Sequence, residues 1–86
     1  MEFTINHFPE RNTFEANIEG LIPYVEYVIR GNTFDIIHTI VPKQLEGQGI
    51  AAKIVSHAYQ YAQDKGYQLK GSCSYANVWL QRHPMK

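Results

Sequence analysis

The 86-residue sequence has a single cysteine, no excess of positive or negative charge, and no long apolar run. A lone cysteine, Cys73, cannot form an internal disulfide, which excludes a secreted disulfide-rich domain and indicates a reducing, cytoplasmic compartment. Eight basic residues balance eight acidic ones, so the basic surface typical of nucleic-acid binding is not expected. Because no run could span a bilayer and residues 1–5 do not resemble a signal peptide, we expect a soluble protein without membrane partners.

The length and composition predict one small domain over residues 1–86. Hydrophobic residues make up 44% of the chain, which suffices for a folded core. A chain of this size buries about 60–65% of the surface that it exposes when unfolded. Any active site should therefore be shallow, and a monomer or weak homodimer is expected.

The first half of the chain alternates apolar and polar residues, as β-strands do. Strands are predicted at residues 3–7, 14–18, 24–29 and 33–41, with turn residues at 9–12 and 31–32 between them. The fourth strand is apolar on both faces, which is typical of a strand inside a sheet. Four consecutive antiparallel strands are the simplest arrangement of this half.

The second half changes to a helical period. Apolar residues follow one face of a predicted helix that runs from Ile50 to about Lys65, where Gly66 provides a C-cap. Residues 67–75 alternate again and predict a fifth strand that carries Cys73. Residues 76–83 predict a short helix with Val78 and Trp79 packed inward. The predicted fold is α+β: an antiparallel four-strand meander, a main helix, a fifth strand parallel to the fourth, and a short C-terminal helix.

Two glycines, Gly47 and Gly49, lie where the fourth strand hands over to the main helix. Glycines let backbone N–H groups approach a ligand closely, and a helix N-terminus adds unpaired donors and a partial positive charge. The segment therefore suits a phosphate group. A tight loop whose glycines serve only the backbone conformation is the alternative.

The pattern Gln44-x-x-Gly47-x-Gly49 resembles the pyrophosphate-binding motif of the GNAT superfamily of acetyl-CoA-dependent N-acetyltransferases. The resemblance extends to a small single-domain YjdJ-like group through these segments: His38-Thr39-Ile40-Val41-Pro42, Gly47-Gln48-Gly49-Ile50-Ala51, Cys73-Ser74-Tyr75 and His83-Pro84. It covers nearly the whole chain and implies a minimal GNAT-like domain that binds acetyl-CoA.

The resemblance also implies where the coenzyme lies. Its pantetheine arm would bind the backbone of Ile40 and Val41, in a gap between the fourth and fifth strands. The pyrophosphate would bind the backbone N–H groups of Gly47, Gln48, Gly49, Ile50 and Ala51. Lys43 and Lys53 would add positive charge at the rim. Larger members of the superfamily have a helical region between the first two strands that walls the acceptor site, and this sequence has only a turn there.

Three residues are candidates for catalysis. Cys73 could attack the thioester and hold the acetyl group, with His38 as the base that activates its thiol. Alternatively, Cys73 is a small buried core residue and His38 deprotonates the acceptor amine directly. His38 is predicted to share a face with Phe34, Ile36 and Ile40, which also allows a core role. Tyr75 could protonate the departing thiolate or pack under Trp79.

The sequence thus predicts an N-acetyltransferase that acts on an unidentified amine, either a small molecule or a protein or peptide amine. A non-catalytic CoA- or acyl-CoA-binding sensor or interaction module is the alternative. A plain interaction domain without a ligand is less compatible with the glycine loop. The four histidines and one cysteine match no zinc spacing, so no metal site is expected.

Overall fold

The computed structural model describes residues 3–84, and the outermost residues of the predicted domain, 1–2 and 85–86, lie outside that range. The strands are β1 (Ile5–Phe8), β2 (Thr13–Ala16), β3 (Tyr24–Arg30), β4 (Thr33–Ile40) and β5 (Gln68–Gly71), and the helices are α1 (Ile50–Asp64) and α2 (Ser74–Arg82). Short 3₁₀ turns at Pro9–Arg11 and Lys43–Leu45 precede β2 and α1.

The five strands form one sheet in the order β1-β2-β3-β4-β5. The first four are antiparallel to their neighbours, and β5 is parallel to β4. A parallel neighbour requires a crossover, which α1 provides. The predicted α+β fold is therefore confirmed, with β4 inside the sheet.

Both helices pack on the same face of the sheet. The inward residues of β3 and β4, among them Val25, Tyr27, Phe34 and Ile36, are buried in one core with the apolar face of α1. Trp79 of α2 is stacked on Tyr59 of α1, with ring centroids 5.7 Å apart. Helix α1 ends as predicted, because Gly66 adopts the left-handed conformation, with φ +87°, that a C-cap favours.

A β-bulge changes which face the end of β4 presents. Tyr27 pairs with Ile36, but the preceding residue, Glu26, pairs with His38, so that Ile37 is the extra residue. Directly paired residues share a face, and a bulge re-aims the side chains that follow it. His38 therefore lies on the face away from the helices. The prediction that His38 shares a face with Phe34 and Ile36 is wrong, because a strict alternation does not allow for the extra residue.

The end of β5 also differs from the prediction. The strand covers residues 68–71 rather than 67–75, and α2 begins at Ser74 rather than at residue 76. The cause is a close contact, since a Cβ on Gly71 would lie 2.6 Å from the backbone nitrogen of Asn77. The first turn of α2 thus folds directly onto the last residue of the strand. Cys73 is the N-cap residue of α2 and does not lie on β5.

The inward face of α2 was predicted only in part. Trp79 is buried, as expected, and Ala76 is buried beside it. Val78 is 42% exposed, so the prediction that it packs inward is wrong. The contact between Ala76 and Gly71 fixes which face of α2 lies against the sheet, and Val78 is not on that face.

Within residues 3–84, no helix is long and apolar enough to cross a membrane.

Candidate functional site

A cavity of about 540 Å³ lies between the end of β4, the glycine loop and the start of α2. Its lining includes most of the residues that the sequence predicted for the coenzyme, and three of its walls come from different elements. The lining residues are Thr39, Ile40, Val41, Leu45, Glu46, Gly47, Gly49, Ile50, Ala51 and Tyr75. Tertiary folding thus places the end of a strand, a loop and a second helix around one space.

The cavity is open because β4 is longer than β5. Pairing between the two strands ends at Ile36 and Gly71, whereas β4 continues to Ile40. Beyond the last pair, the described backbone makes one further hydrogen bond to β4, from the N–H of Cys73 to the carbonyl oxygen of Ile36 at 3.1 Å. The backbone of Ile40 and Val41 therefore lies beyond the paired part of β5, at the edge of the cavity.

The glycine loop takes a conformation that glycine favours. Gly47 and Gly49 have φ values of +80° and +76°, in the left-handed region where a side chain is strained. A Cβ added to either residue would meet no other atom within 4 Å. The glycines are therefore required by the backbone path, and the surface that they leave is free of side chains.

The start of α1 supplies hydrogen-bond donors to this surface. The first intrahelical bond runs from the N–H of Lys53 to the carbonyl oxygen of Gly49, so helix geometry leaves the N–H groups of Ile50 and Ala51 without acceptors inside the helix. No side chain caps this end. Free N–H groups and the positive end of the helix dipole together suit an anionic group such as a pyrophosphate.

Three predicted contributors lie elsewhere. Gln48 is exposed and is not part of the described lining of the cavity, although its neighbours Gly47 and Gly49 are. Lys43 is exposed in the 3₁₀ turn before the loop. Lys53 lines a second groove with Ser56 and His57, and its ammonium lies 5.6 Å from the ring centroid of Phe3. The carboxylate-bearing Glu46, which the sequence did not single out, lines the cavity instead.

Cys73 lies at the start of α2, in contact with a residue that lines this cavity. Its thiol donates a hydrogen bond to Oγ1 of Thr39, with the two atoms 3.4 Å apart, and Thr39 itself lines the cavity. Thr39 is paired with the fully buried Val25, so its hydroxyl points to the helix side of the sheet. The thiol is half-buried rather than part of the closed core.

The surroundings of Cys73 favour the thiolate. Burial opposes ionisation, but the hydroxyl of Thr39 and the backbone N–H groups of Ala76 and Tyr75 outweigh it, so that the pKa of the thiol is lowered. A hydroxyl that accepts from a thiol can rotate and donate to the thiolate. Donors at a helix N-terminus are a common means of activating a cysteine.

The structure does not bring His38 to this thiol. Among the described residues, the side chain that bonds to the thiol of Cys73 is Thr39, and the neighbouring His38 is exposed on the opposite face of β4. Its cross-strand neighbour there is Glu26. Activation of Cys73 by His38 is therefore not supported by the contacts, whereas an acceptor that approaches from the uncovered face could reach His38.

Tyr75 lies in the first turn of α2 and lines the cavity. Its side chain is 41% exposed and also lines a small groove beside Trp79. Partial burial raises the pKa of its phenol, which keeps the hydroxyl protonated at neutral pH. A protonated phenol at the cavity can donate a proton or a hydrogen bond to a ligand there.

The model of the GCN5-related N-acetyl-transferase family matches residues 13–86 of the chain. The chain belongs to this family. Acetyl transfer to an amine is the general activity that this membership supports, and the family generally uses acetyl-CoA. The residues at the cavity fit the anionic pyrophosphate of that coenzyme, because Gly47 and Gly49 leave open space there and the N–H groups of the first turn of α1 have no acceptor inside the helix.

Two solved acetyltransferase structures have a similar fold. The first is a GCN5-like protein from Staphylococcus aureus, determined by NMR in solution. It is 25% identical, with a TM-score of 0.72, over 92% of this chain and 78% of that one. The second is the IAA acetyltransferase from Bacillus cereus, which is 24% identical with a TM-score of 0.61. That match covers 85% of this chain but 54% of the other, and it shows the fold alone.

Besides Glu46, the sequence did not single out Thr39 and Asp35, which lie near the site. Thr39 was quoted only as part of a motif, because a threonine in a strand carries no distinct signal. Asp35 is 1% exposed and binds the residue before Cys73. A signal for Asp35 did exist: it is a carboxylate between Phe34 and Ile36 in a strand predicted to be interior, and a buried carboxylate needs partners.

Proposed function

We propose that this family member is an acetyl-CoA-dependent N-acetyltransferase whose coenzyme lies in the cavity between β4, the glycine loop and α2. The single observation that carries the proposal is the convergence on one cavity of the end of β4, which β5 leaves without a partner on that side, and of the left-handed Gly47 and Gly49. In this proposal the backbone of Ile40 and Val41 binds the pantetheine arm. The N–H groups of residues 47–51 bind the pyrophosphate.

The bound coenzyme supplies an acetyl group as a thioester, an activated form that an amine can attack. Cys73 is the proposed first acceptor, because the Thr39 hydroxyl and the start of α2 stabilise its thiolate without help from His38. The acceptor amine would then attack the acetyl group on Cys73 and release the Cys73 thiolate, which takes the proton of the amine. His38, on the opposite face of β4, is the proposed base of the alternative, direct route. Tyr75 is the proposed acid that protonates the departing coenzyme A thiolate.

The direct route is the alternative within the same function. There the amine attacks the thioester itself, His38 takes its proton, and Cys73 only supports the start of α2. The proposed acceptor is a small-molecule, protein or peptide amine. The cytoplasmic location remains a prediction, as does the oligomeric state, a monomer or weak homodimer. The whole chain 1–86 is proposed to act as one domain.

A titration of acetyl-CoA followed by backbone amide NMR tests the coenzyme site. Shifts concentrated at Ile40, Val41 and residues 47–51 are expected. Unshifted loop amides at millimolar acetyl-CoA would contradict the proposal. Mass spectrometry on the same sample tests the covalent route, which predicts the gain of one acetyl group by the wild type and its loss in Cys73→Ala.

One observation favours a second candidate, a non-catalytic module that binds CoA or acyl-CoA. The link between β1 and β2 is a 3₁₀ turn, Pro9–Arg11, so it supplies no helical wall for an acceptor site. The module predicts coenzyme binding without turnover on any amine and an affinity that Cys73→Ala leaves unchanged. Turnover on a panel of small amines and lysine peptides would exclude it.

A further inference from the structure

A buried carboxylate holds the residue that precedes Cys73. Oδ1 of Asp35 accepts a hydrogen bond from the backbone N–H of Ser72 at 2.8 Å, and Oδ2 accepts one from its hydroxyl at 2.7 Å. The Asp35 side chain is 1% exposed. The side chain of Asp35, on β4, thus accepts hydrogen bonds from both donor groups of Ser72, its backbone N–H and its hydroxyl.

The second carboxylate oxygen has a further partner at the surface. Nη1 of Arg30 lies 3.1 Å from Oδ2, and the Arg30 side chain is 66% exposed. Burial alone would raise the pKa of Asp35, but the two bonds from Ser72, the bond from Arg30 and the charge of Lys70 lower it. The carboxylate is therefore ionised at neutral pH and accepts from Ser72 at full strength.

Neighbouring contacts hold the same short segment. The N–H of Cys73 donates to the carbonyl oxygen of Ile36, one residue along β4 from Asp35. The hydroxyl of Tyr59 donates to the carbonyl oxygen of Lys70 at 2.6 Å. These contacts anchor the backbone, and among residues 3–84 it is Asp35 that binds Ser72, the residue between the end of β5 and the N-cap of α2.

We propose that Asp35 is a positioning residue, which holds the thiol of Cys73 against Thr39 by clamping Ser72. The two ends of this arrangement lie on one strand, because Asp35 and Thr39 both belong to β4. Strand β4 thus binds Ser72 through Asp35 and accepts the hydrogen bond of the Cys73 thiol through Thr39. The inference rests on the proposed role of Cys73 for its catalytic meaning, but the positioning itself does not depend on acetyl transfer.

Two variants distinguish the effect of the two hydrogen bonds between Asp35 and Ser72, called the clamp, from the effect of the negative charge of Asp35. Asp35→Asn removes the charge, but its amide can still accept from the Ser72 N–H and donate to the Ser72 hydroxyl. Asp35→Ala removes both bonds. Loss of a nearby negative charge alone would favour the thiolate in both variants, whereas loss of the clamp disfavours it in Asp35→Ala only. The two effects therefore have opposite signs.

The test measures the alkylation rate of Cys73 by iodoacetamide as a function of pH in the full chain. We expect the apparent thiol pKa to rise by about one unit in Asp35→Ala, which lowers the thiolate fraction at neutral pH about tenfold. Asp35→Asn keeps the clamp and loses only the charge, so its thiol pKa should not rise. Arg30→Ala is the matched control, because it removes the exposed partner of the carboxylate and leaves Ser72 bound.

A folded Asp35→Ala protein with an unchanged or lower thiol pKa would overturn the inference. If that variant does not fold, Ser72→Ala decides, since it removes only the side-chain half of the clamp. The inference then requires a raised thiol pKa in Ser72→Ala, and an unchanged value overturns it. Failure of the proposed function is distinct, because it would be seen as absent acetyl-CoA binding in the wild type.

Discussion

The Sγ atom of Cys73 lies 3.4 Å from Oγ1 of Thr39, a contact that joins the start of α2 to β4 beside the cavity. Replacing Thr39 by valine keeps its shape but removes the hydroxyl that favours the thiolate. We expect the thiol pKa in Thr39→Val to rise, measured by the pH dependence of iodoacetamide alkylation. Thr39→Ser retains the hydroxyl and should leave the profile near that of the wild type. An unchanged profile in Thr39→Val would show that the helix start alone stabilises the thiolate.

The glycine loop should not tolerate side chains, for conformational rather than steric reasons. Gly47 and Gly49 have φ values of +80° and +76°, and an added Cβ meets no atom within 4 Å. The left-handed conformation costs a non-glycine residue about 1–2 kcal/mol. We expect Gly49→Ala to weaken acetyl-CoA binding on the order of tenfold, as measured by calorimetry, because each ~1.4 kcal/mol is a factor of ten.

Gly31→Ala is the control for that experiment. Gly31 also has a positive φ, +58°, and open space around it, but it lies in the turn between β3 and β4, far along the strand from the cavity. Gly31→Ala should lower the free energy of unfolding and leave the affinity for acetyl-CoA unchanged. Equal effects of the two variants on affinity would contradict a direct role of the loop.

Gly71 is expected to be the most sensitive glycine for the packing of α2. A Cβ there would lie 2.6 Å from the nitrogen of Asn77 and 2.8 Å from the carbonyl carbon of Ala76. Gly71→Ala should lower the free energy of unfolding by about 1–3 kcal/mol, as overpacking does. Urea unfolding measures the loss, and the fluorescence of Trp79, the single tryptophan, reports the displacement of α2. In the control, Gly20→Ala, the Trp79 emission should stay as in the wild type.

The stability of the protein should fall as the pH drops below about 6.5. His7 packs on Phe14 and lies 2.6 Å from the Tyr27 hydroxyl. Burial, followed by the charge of His57, lowers the pKa of His7 from 6.5. The unfolded chain then binds its proton at a higher pH than the folded one, so stability is lost from pH 6.5 down to the lowered pKa.

Urea unfolding between pH 5 and pH 8 measures this slope. His7→Phe keeps an aromatic ring on Phe14 and removes the titrating group, so the slope in this range should decrease. Tyr27→Phe removes the hydrogen bond but not the burial, and it should retain the slope. A His7→Phe protein with the wild-type slope would assign the pH dependence to other groups.

The elements of the fold could be read from the chain because their signals are local. Alternation in β1 to β4, the helical period of α1 and the cap at Gly66 each depend on neighbouring residues. The end of β5 could not be read in this way. Residues 72–75 continue the alternation, but the approach of Ala76 and Asn77 to Gly71 ends the strand. No pattern in the sequence indicates that Gly71 and the first turn of α2 lie in contact.

The candidate site divides in the same manner. The sequence by itself determined the glycine loop, the helix that follows it and the lone thiol, since each is a property of residue type and position. Only the tertiary structure decided which groups meet. The extra residue in β4 turns Thr39 rather than His38 towards Cys73, and the buried Asp35 reaches Ser72 from 37 positions away. Both outcomes depend on pairing between strands and on burial, which no local pattern specifies.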